Sequence, residues 1–310
     1  MKTAWLFPGQ GSQYVGMSQV WLERFPIVED YFKKADEVLG FSLSELVKDG
    51  SDDELRLTFN AQPAILTLSV ALTEVLRNQG FPEPDFVAGH SLGEFSALVA
   101  KGVLSFEDAV SIVHERGKAM QEAMPPGSGG MVALMGATPD KINSLLKDSR
   151  INGVLEIAND NGAGQVILSG DKASIESAKE FFKEYEIKKL IDLPVSAPFH
   201  SSLMKPAAER LKAALSGKLS DKSNDNIKLL HNVTVSELAP GDIEAVLVEQ
   251  LTSRVRWRET MDVLAKEELD FVLEVGPKNV LSGLWLRHLR LKNMKALEKL
   301  TELSLEEIGA

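Results

Sequence analysis

The chain has 310 residues, of which 44% are hydrophobic and 25% are charged, with a formal net charge of −11 and no cysteine. This composition is that of an ordinary globular protein, and a length near the upper limit of one hydrophobic core predicts a large domain that carries a smaller one. The acidic balance argues against general nucleic-acid binding, and the lack of cysteine excludes disulfides, thiolate metal sites and a cysteine nucleophile.

The first predicted element is a strand at residues 3–7, which ends in the glycine-rich loop 8–13 with the sequence PGQGSQ. The apolar run before Pro8 is too short for a secretory signal, so we expect a cytoplasmic protein. Glycines on both sides of Gln10 leave its backbone N–H accessible as a donor to a developing oxyanion. The alternative is an ordinary strand-ending turn.

Helices are predicted to follow from residue 17 to about residue 80. Residues 57–73 form the longest uncharged run, but Asn60, Gln62 and Pro63 interrupt its apolar character. A membrane span needs about 20 predominantly apolar residues, so this run predicts a buried helix preceded by a turn. We expect no association with a membrane.

The strongest catalytic signal is a predicted strand, a sharp turn and a helix. The strand at 86–89 leads into the sequence GHSLG at 89–93, and a helix is predicted at 94–100. Glycines on both sides of Ser91 permit a turn that is too tight for residues with a Cβ atom, and such a turn holds the serine outward at its apex. We therefore predict that Ser91 is a nucleophile.

A second helix is predicted to begin after Ser105, which resembles an N-cap followed by acidic residues. The apolar stripe of this helix includes Val113 and Met120, and Arg116 falls on the same face. A guanidinium that faces a core must be paired, and its fork matches a carboxylate. The partner is either an acid of the chain itself, in a structural salt bridge, or the carboxylate of a substrate.

Residues 125–130 (PPGSGG) predict a linker, and the pattern changes after them. Strands and helices then follow in the order βαββαβ, which is typical of ferredoxin-like domains. We predict a small ferredoxin-like domain at 128–193, inserted into a large α/β domain that comprises residues 1–127 and 194–310. The sequence thus indicates an α/β protein of two domains.

His200 lies just after the predicted small domain, in the proline-framed loop 194–202. It is the best candidate for a general base, with a structural histidine as the alternative. No Asp or Glu stands out as the third member of a triad, so a backbone or amide carbonyl is the expected partner of the imidazole. Lys188 and Lys189 precede this loop and are candidates for phosphate contact, unless they only form a solvated face.

Other features of the second half carry weaker signals. The loop predicted at 159–162 (NDNG) is rich in amides, as many turns are. The last third predicts a helix at 242–251 and a further strand of the large sheet at 271–275. Basic residues gather at 254–258 and 287–292, and such runs usually form a solvated face.

Together these motifs resemble the malonyl-CoA:acyl carrier protein transacylases and are similar to the acyltransferase domains of polyketide and fatty acid synthases. The resemblance extends from about residue 7 to about residue 284. The motifs that carry it are 8–13 (PGQGSQ), 62–64 (QPA), 89–94 (GHSLGE), 115–117 (ERG), Asn159 with Asn161, 198–201 (PFHS), Gln250 with 255–257 (VRW), and 274–277 (EVGP). The chain departs from the pattern at Lys278 and Asn279, where many members have Gly-Lys, and we expect this change to alter a loop rather than the chemistry.

The resemblance implies a fold, a reaction and two catalytic residues. The fold is an α/β-hydrolase-like large domain with a ferredoxin-like small domain. The reaction is ping-pong transfer of a malonyl group from coenzyme A to the phosphopantetheine thiol of acyl carrier protein. Ser91 attacks the malonyl thioester in this scheme, and His200 removes the serine proton.

The same resemblance implies how the other residues act. The backbone N–H groups of Gln10 and Leu92 form the oxyanion hole, Arg116 binds the free carboxylate of malonate, and the backbone carbonyl of Gln250 orients the catalytic histidine. Phe199 and Leu92 match the malonyl-selective pattern rather than the methylmalonyl one. The further substrate-binding residues are Gln62, Asn159, Asn161 and Phe199.

The resemblance implies no permanently bound cofactor and no metal, since malonyl-CoA is a substrate and phosphopantetheine arrives on the partner. We expect a monomer with acyl carrier protein as its partner. The alternatives are a serine thioesterase or acyl hydrolase with the same elbow, a polyketide-pathway acyltransferase with another extender unit, and a carrier-binding module without catalysis.

Overall fold

The computed structural model describes residues 1–195, 197–221 and 223–300, and two separate sheets organise this part of the chain. Ser196, Lys222 and residues 301–310 of the predicted large domain lie outside the described residues. The strands are β1 (Thr3–Phe7), β2 (Phe86–Gly89), β3 (Gly129–Met135), β4 (Leu155–Asp160), β5 (Gln165–Asp171), β6 (Lys189–Asp192), β7 (Lys228–Leu230), β8 (Phe271–Glu274) and β9 (Met294–Ala296).

The larger sheet is parallel and has the strand order β7-β2-β1-β8-β9. Every residue of β1, β2 and β8 is buried, because helices cover both faces of the sheet. The predicted strands at 3–7 and 86–89 are confirmed, and the strand predicted at 271–275 ends one residue earlier. The sequence does not predict β7 and β9, because three residues are too few for a periodic pattern.

The smaller sheet is antiparallel and has the order β4-β5-β3-β6, so the predicted βαββαβ order is confirmed. Two details differ from the prediction. The linker is shorter, because β3 already begins at Gly129. Asn159 and Asp160 lie within β4 instead of a loop, directly after a bulge between Ile157 and Asn159.

Helices pack on both sheets, and in the small domain α8 and α9 connect the strands. The helices are α1 (Gln19–Arg24), α2 (Pro26–Leu39), α3 (Leu43–Asp49), α4 (Asp52–Arg56), α5 (Thr58–Asn78), α6 (Gly93–Lys101), α7 (Phe106–Glu122), α8 (Pro139–Leu146), α9 (Lys172–Phe181), α10 (Lys205–Leu215), α11 (Pro240–Gln250), α12 (Trp257–Ala265) and α13 (Val280–Leu289). The predicted α/β class is therefore confirmed.

Helix α5 lies in the core of the large domain. Among the described residues it is the one helix whose length and hydropathy match those of a membrane span, but 89% of its most apolar window is buried inside the protein. It packs against α7 at Gly117, where an added Cβ atom would lie 2.5 Å from the Cα atom of Phe59. This close approach brings Gln62 of α5 to Arg116 of α7.

The parallel register places four loops at one edge of the large sheet. Phe7 at the end of β1 lies beside Gly89 at the end of β2, and Leu6 lies beside Glu274 at the end of β8. The loops that follow these strands, together with the loop after β7, meet at the carboxyl edge of the sheet, where α/β proteins bind their ligands.

Candidate active site

Ser91 occupies a strained turn between β2 and α6. Its backbone φ is +52°, in the left-handed region that non-glycine residues rarely adopt. A Cβ atom at Gly89 would lie 1.9 Å from the carbonyl carbon of Gly93, and one at Gly93 would lie 2.0 Å from the carbonyl oxygen of Phe7. Both glycines are therefore needed for the elbow to pack against the end of β1.

The imidazole of His200 contacts the serine hydroxyl. Nε2 lies 2.7 Å from Ser91 Oγ, and Nδ1 lies 2.8 Å from the backbone carbonyl oxygen of Gln250. A carbonyl oxygen only accepts, so Nδ1 carries the proton and Nε2 is free to accept one from the hydroxyl. The carbonyl thus occupies the place that a carboxylate has in a Ser-His-Asp triad.

Burial keeps this imidazole neutral. It lowers the pKa of His200 to about 3, and the positive charge of Arg116 acts in the same direction, whereas the hydrogen bond to the carbonyl of Gln250 opposes both. A neutral imidazole is the form that a general base needs.

Arg116 is fully buried and contacts the hydroxyl of Ser91. Its guanidinium donates to Gln62 Oε1 at 2.8 Å, to Gln250 Oε1 at 2.8 Å and to Ser91 Oγ at 3.2 Å. No carboxylate in the described part of the chain forms an ion pair with it, so the alternative of a structural salt bridge is wrong for these residues. Burial lowers the pKa of Arg116 to about 10, and the charge of Glu94 opposes this shift, so the guanidinium stays positive at neutral pH.

The two predicted oxyanion donors flank the elbow. A Cβ atom at Gly9 would lie 2.4 Å from the carbonyl oxygen of His90, so the glycine-rich loop packs directly on the elbow and brings Gln10 to Ser91. Neither the N–H of Gln10 nor that of Leu92 donates to an acceptor within the described residues. The N–H of Ser91, by contrast, donates to Asn232 Oδ1 at 2.7 Å.

The buried carboxylate of Glu94 binds three groups that surround the elbow. Glu94 is fully buried, and its two oxygens accept from His231 Nδ1 at 2.7 Å, from the backbone N–H of Asn232 at 3.1 Å and from Gln250 Nε2 at 2.7 Å. Asn232 Nδ2 donates in turn to the carbonyl oxygen of Gly89 at 2.6 Å. This network connects the elbow, the end of α11 and the loop after β7.

Sequence reasoning misses Glu94, His231 and Asn232 as contributors to the site. For Glu94 a signal exists, because an acid in the first turn of an otherwise apolar helix needs buried partners. For Asn232 no local signal exists, since its role depends on where the loop after β7 meets the elbow.

The other predicted substrate-binding residues all lie near the elbow, but their roles differ. Gln62 holds Arg116, and Asn161 Oδ1 lies 2.8 Å from His90 Nε2. Asn159 and Phe199 line the cleft beside Ser91, as does Asn161.

The cleft at the elbow has a volume of about 620 Å³. Arg56, Lys278 and Arg287 supply positive charge to its lining besides Arg116. Lys188 and Lys189 are not part of this lining. Lys189 is exposed in β6, and the side chain of Lys188 packs against Gly136.

A second cavity, of about 680 Å³, lies elsewhere on the large domain and is lined by residues such as Phe41, Asp49 and His114. It contains none of the predicted site residues. The predicted catalytic residues therefore lie together at the carboxyl edge of the parallel sheet.

Known proteins are similar to this chain in sequence and in fold. Residues 4–303 match the model of the acyl transferase domain family. The malonyl CoA-acyl carrier protein transacylase of Bacillus subtilis is 45% identical over 285 residues, which cover 91% of this chain and 89% of that protein.

Two solved structures have nearly the same fold. The malonyl CoA-acyl carrier protein transacylase of Coxiella burnetii superposes with a TM-score of 0.93 at 36% identity, covering 99% of this chain and 96% of that one. A malonyl-transacylase solved in complex with its type II polyketide synthase acyl-carrier protein superposes with a TM-score of 0.91 at 38% identity, covering 96% and 95%.

Proposed function

The chain belongs to the acyl transferase domain family, and we propose that it moves a malonyl group from coenzyme A to the thiol of acyl carrier protein through an ester on Ser91. One observation carries this assignment. A buried guanidinium without an acidic partner among the described residues lies 3.2 Å from a serine hydroxyl, which in turn lies 2.7 Å from a neutral histidine. An acyl group that ends in a carboxylate fits this arrangement.

The first half-reaction forms the ester. Ser91 Oγ attacks the thioester carbonyl carbon, and its proton passes to Nε2 of His200. The negative charge on the carbonyl oxygen is stabilised by the N–H groups of Gln10 and Leu92. When the carbon–sulfur bond breaks, the thiolate of coenzyme A takes the proton back from the imidazole. A general base contributes typically about 10² to 10⁴-fold to the rate, and one oxyanion donor about 10² to 10³-fold.

The second half-reaction reverses these roles. The pantetheine thiol of the carrier gives its proton to His200 and attacks the ester carbonyl, and Ser91 leaves as the alcohol after it regains that proton. The same oxyanion donors serve both steps, so one site handles two thiols in turn. Ping-pong kinetics follow from this scheme.

Arg116 selects the acyl group. The fork of a guanidinium binds a carboxylate in two parallel hydrogen bonds, and the side-chain oxygens of Gln62 and Gln250 hold this fork in place. A malonyl carboxylate satisfies the charge, whereas an acetyl group leaves it unpaired. Phe199 lines the same cleft and restricts the substituent at the acyl α-carbon.

We also propose domain boundaries, an oligomeric state and two further substrate-binding residues. The two separate sheets support domain boundaries of 1–127 with 194–310 and of 128–193. We take the enzyme to be a cytoplasmic monomer without a resident cofactor. Asn159 and Asn161 contribute to substrate binding from the edge of the small sheet.

The proposal is tested with labelled malonyl-CoA and a holo carrier protein, measured with carriers of fatty acid and of polyketide synthesis. We expect malonyl carrier to form with the holo but not with the apo carrier. The wild type retains the labelled acyl group when the carrier is omitted, and Ser91→Ala does not. Release of free malonate at one rate with and without the holo carrier would contradict transfer and favour a hydrolase.

A further inference from the structure

Two loops at the carboxyl edge of the large sheet are tied together next to the elbow. One is the glycine-rich loop 8–13, and the other is the loop after β8, which begins at Val275. A Cβ atom at Gly276 would lie 2.6 Å from Cγ of Pro8, so the second loop packs against the proline ring of the first. The first loop presents the N–H of Gln10 to the elbow, and its glycines give it little conformational preference of its own.

Lys278 makes the polar contacts between these loops. Its Nζ atom donates to the carbonyl oxygens of Gly11 at 3.1 Å and of Gln13 at 3.3 Å. The same ammonium lies 5.8 Å from the ring centroid of Tyr14, within the range of a cation–π contact. The ammonium thus binds carbonyls of the glycine-rich loop that follow Gln10 in the sequence.

The backbone of Lys278 is held in a costly conformation. Its φ is +61°, in the left-handed region where glycine is favoured. The carboxylate of Glu298 accepts from its backbone N–H, and burial together with the charge of the same carboxylate raises the pKa of Tyr14 to about 12. Lys278 thus adopts a backbone conformation that favours glycine, and both its N–H and its ammonium are hydrogen-bonded.

We propose that Lys278 is a positioning residue for the oxyanion hole: its ammonium fixes the carbonyls of Gly11 and Gln13, so that the N–H of Gln10 stays directed at the carbonyl oxygen of the acyl group on Ser91. This inference rests on the proposed function, since it assigns a role within the same acyl transfer. It also changes the expectation that Lys278 only alters a loop.

The position of Lys278 also allows a different role, because its side chain lines the cleft together with Arg56 and Arg287. A lysine that binds a phosphate of coenzyme A contributes to the affinity for malonyl-CoA and does not affect the rate with a substrate that has no phosphate. A lysine that fixes an oxyanion donor contributes to the rate with any acyl donor. The two roles therefore separate in kcat and KM.

The experiment compares Lys278→Met, which removes the ammonium, with Lys278→Gly, which also relieves the left-handed Cβ, and Lys278→Arg, which keeps the charge. Lys292→Met is the matched control, because Lys292 is an exposed lysine that lies outside both loops. Each protein is assayed for malonyl transfer and for acylation of Ser91 by p-nitrophenyl acetate, which carries no phosphate. Thermal unfolding midpoints show which variants are folded.

Loss of an entire oxyanion donor costs about 10² to 10³-fold in kcat, and a loosened donor costs part of that. We expect Lys278→Met and Lys278→Gly to lower kcat and the rate of p-nitrophenyl acetate acylation about tenfold or more, with the KM for malonyl-CoA within about twofold of wild type. Lys278→Arg recovers most of the rate, and Lys292→Met matches wild type. If Lys278→Met does not fold, Lys278→Gly carries the test, because glycine accepts this φ without strain.

A raised KM for malonyl-CoA with unchanged acylation by p-nitrophenyl acetate overturns the inference in favour of a phosphate contact. Wild-type rates in both assays for Lys278→Met and Lys278→Gly overturn it as well. Failure of the proposed function is a separate result, since it is seen as absence of malonyl transfer by the wild type. Acylation by p-nitrophenyl acetate still reports the effect of Lys278 in that case.

Discussion

Nη2 of Arg116 lies 3.2 Å from Oγ of Ser91, so the cation that we assign to the substrate carboxylate also touches the proposed nucleophile. In the proposed transfer a malonyl carboxylate takes over this side of the guanidinium, and the serine hydroxyl keeps its 2.7 Å contact with Nε2 of His200. The carboxylate thereby also reduces the positive charge that lowers the pKa of His200. The proposed function thus couples binding of the acyl carboxylate to the charge that His200 experiences.

Removal of the Arg116 charge is expected to change the acyl preference. Arg116→Met keeps much of the side-chain volume but loses a two-pronged, charge-assisted contact worth about 3 kcal/mol. Malonyl transfer then falls about 100-fold in kcat/KM, and acetyl transfer falls much less or rises. Steady-state rates with malonyl-CoA and acetyl-CoA measure this difference. Equal losses for both substrates would return Arg116 to a purely structural role.

The pH dependence of acylation follows from the lowered pKa of His200. With a pKa of about 3, the imidazole is already neutral at pH 5, so the rate at which malonyl-CoA acylates Ser91 is expected to stay flat between about pH 5 and pH 8. Arg116→Met removes a positive charge that lowers this pKa, so its acid limb moves to higher pH. Rapid-quench measurements of malonyl-Ser91 formation test both statements. A wild-type acid limb near pH 6.5 would show that the imidazole titrates as it does in water.

The same shift makes folding depend on pH. In the unfolded chain His200 titrates near 6.5, and in the folded protein near 3. Between these values the unfolded chain binds a proton that the folded chain does not, so the free energy of unfolding falls as the pH decreases through this window. Urea unfolding at pH 7.5 and pH 5 is expected to show a larger loss for wild type than for His200→Asn. Burial also lowers the pKa of His90, but this shift is present in both proteins and cancels in the comparison.

The catalytic elements that sequence reasoning finds are those that local chemistry determines. The elbow at Ser91 needs two glycines four positions apart, and the helical period of the residues around Arg116 predicts that its side chain points inward. His200 stands out because it lies in an irregular loop at the predicted domain boundary. In each case the signal lies within about ten residues of the position.

What the sequence does not reveal depends on distant contacts. Glu94 gains its role only when His231 and Gln250, more than 130 positions further along the chain, meet it in the core. Lys188 and Lys189 are close to His200 in sequence, yet this stretch of the chain joins the lining of the cleft only after β6, from Leu193 onwards. Asn159 is part of a strand because its partner, Ile167 in β5, pairs with it across a bulge.

Gln250 serves the site with two different groups, and a substitution separates them. Its backbone carbonyl accepts from His200, whereas its side chain joins Arg116 to Glu94 and also donates to the backbone carbonyl oxygen of Ser91 at 3.1 Å. Gln250→Leu keeps the carbonyl that orients His200, so acylation by p-nitrophenyl acetate is expected to fall less than malonyl transfer. The guanidinium loses one hydrogen bond of about 1.5 to 3 kcal/mol, so kcat/KM for malonyl-CoA falls about tenfold or more. A larger loss with p-nitrophenyl acetate than with malonyl-CoA would show that the imidazole, not the carboxylate site, depends on this side chain.

Glu94 is expected to support both stability and catalysis. In Glu94→Gln an amide NH₂ group replaces the carboxylate oxygen that accepts from the backbone N–H of Asn232 and from Nε2 of Gln250. Each buried donor that is left without an acceptor costs about 1 to 3 kcal/mol. We therefore expect a loss of about 2 to 4 kcal/mol in the free energy of unfolding, measured by urea denaturation.

The catalytic part of this prediction needs a control that is destabilised elsewhere. Asp171→Asn weakens the start of α9 in the small domain, where this carboxylate accepts from the backbone N–H groups of Ser174 and Val154. Per folded molecule, Glu94→Gln is expected to lower kcat about tenfold or more, since it loosens the Asn232 and Gln250 contacts that hold the elbow and the fork of Arg116, whereas Asp171→Asn retains wild-type kcat. Equal kcat values for the two folded variants would show that Glu94 stabilises the fold without positioning the catalytic groups.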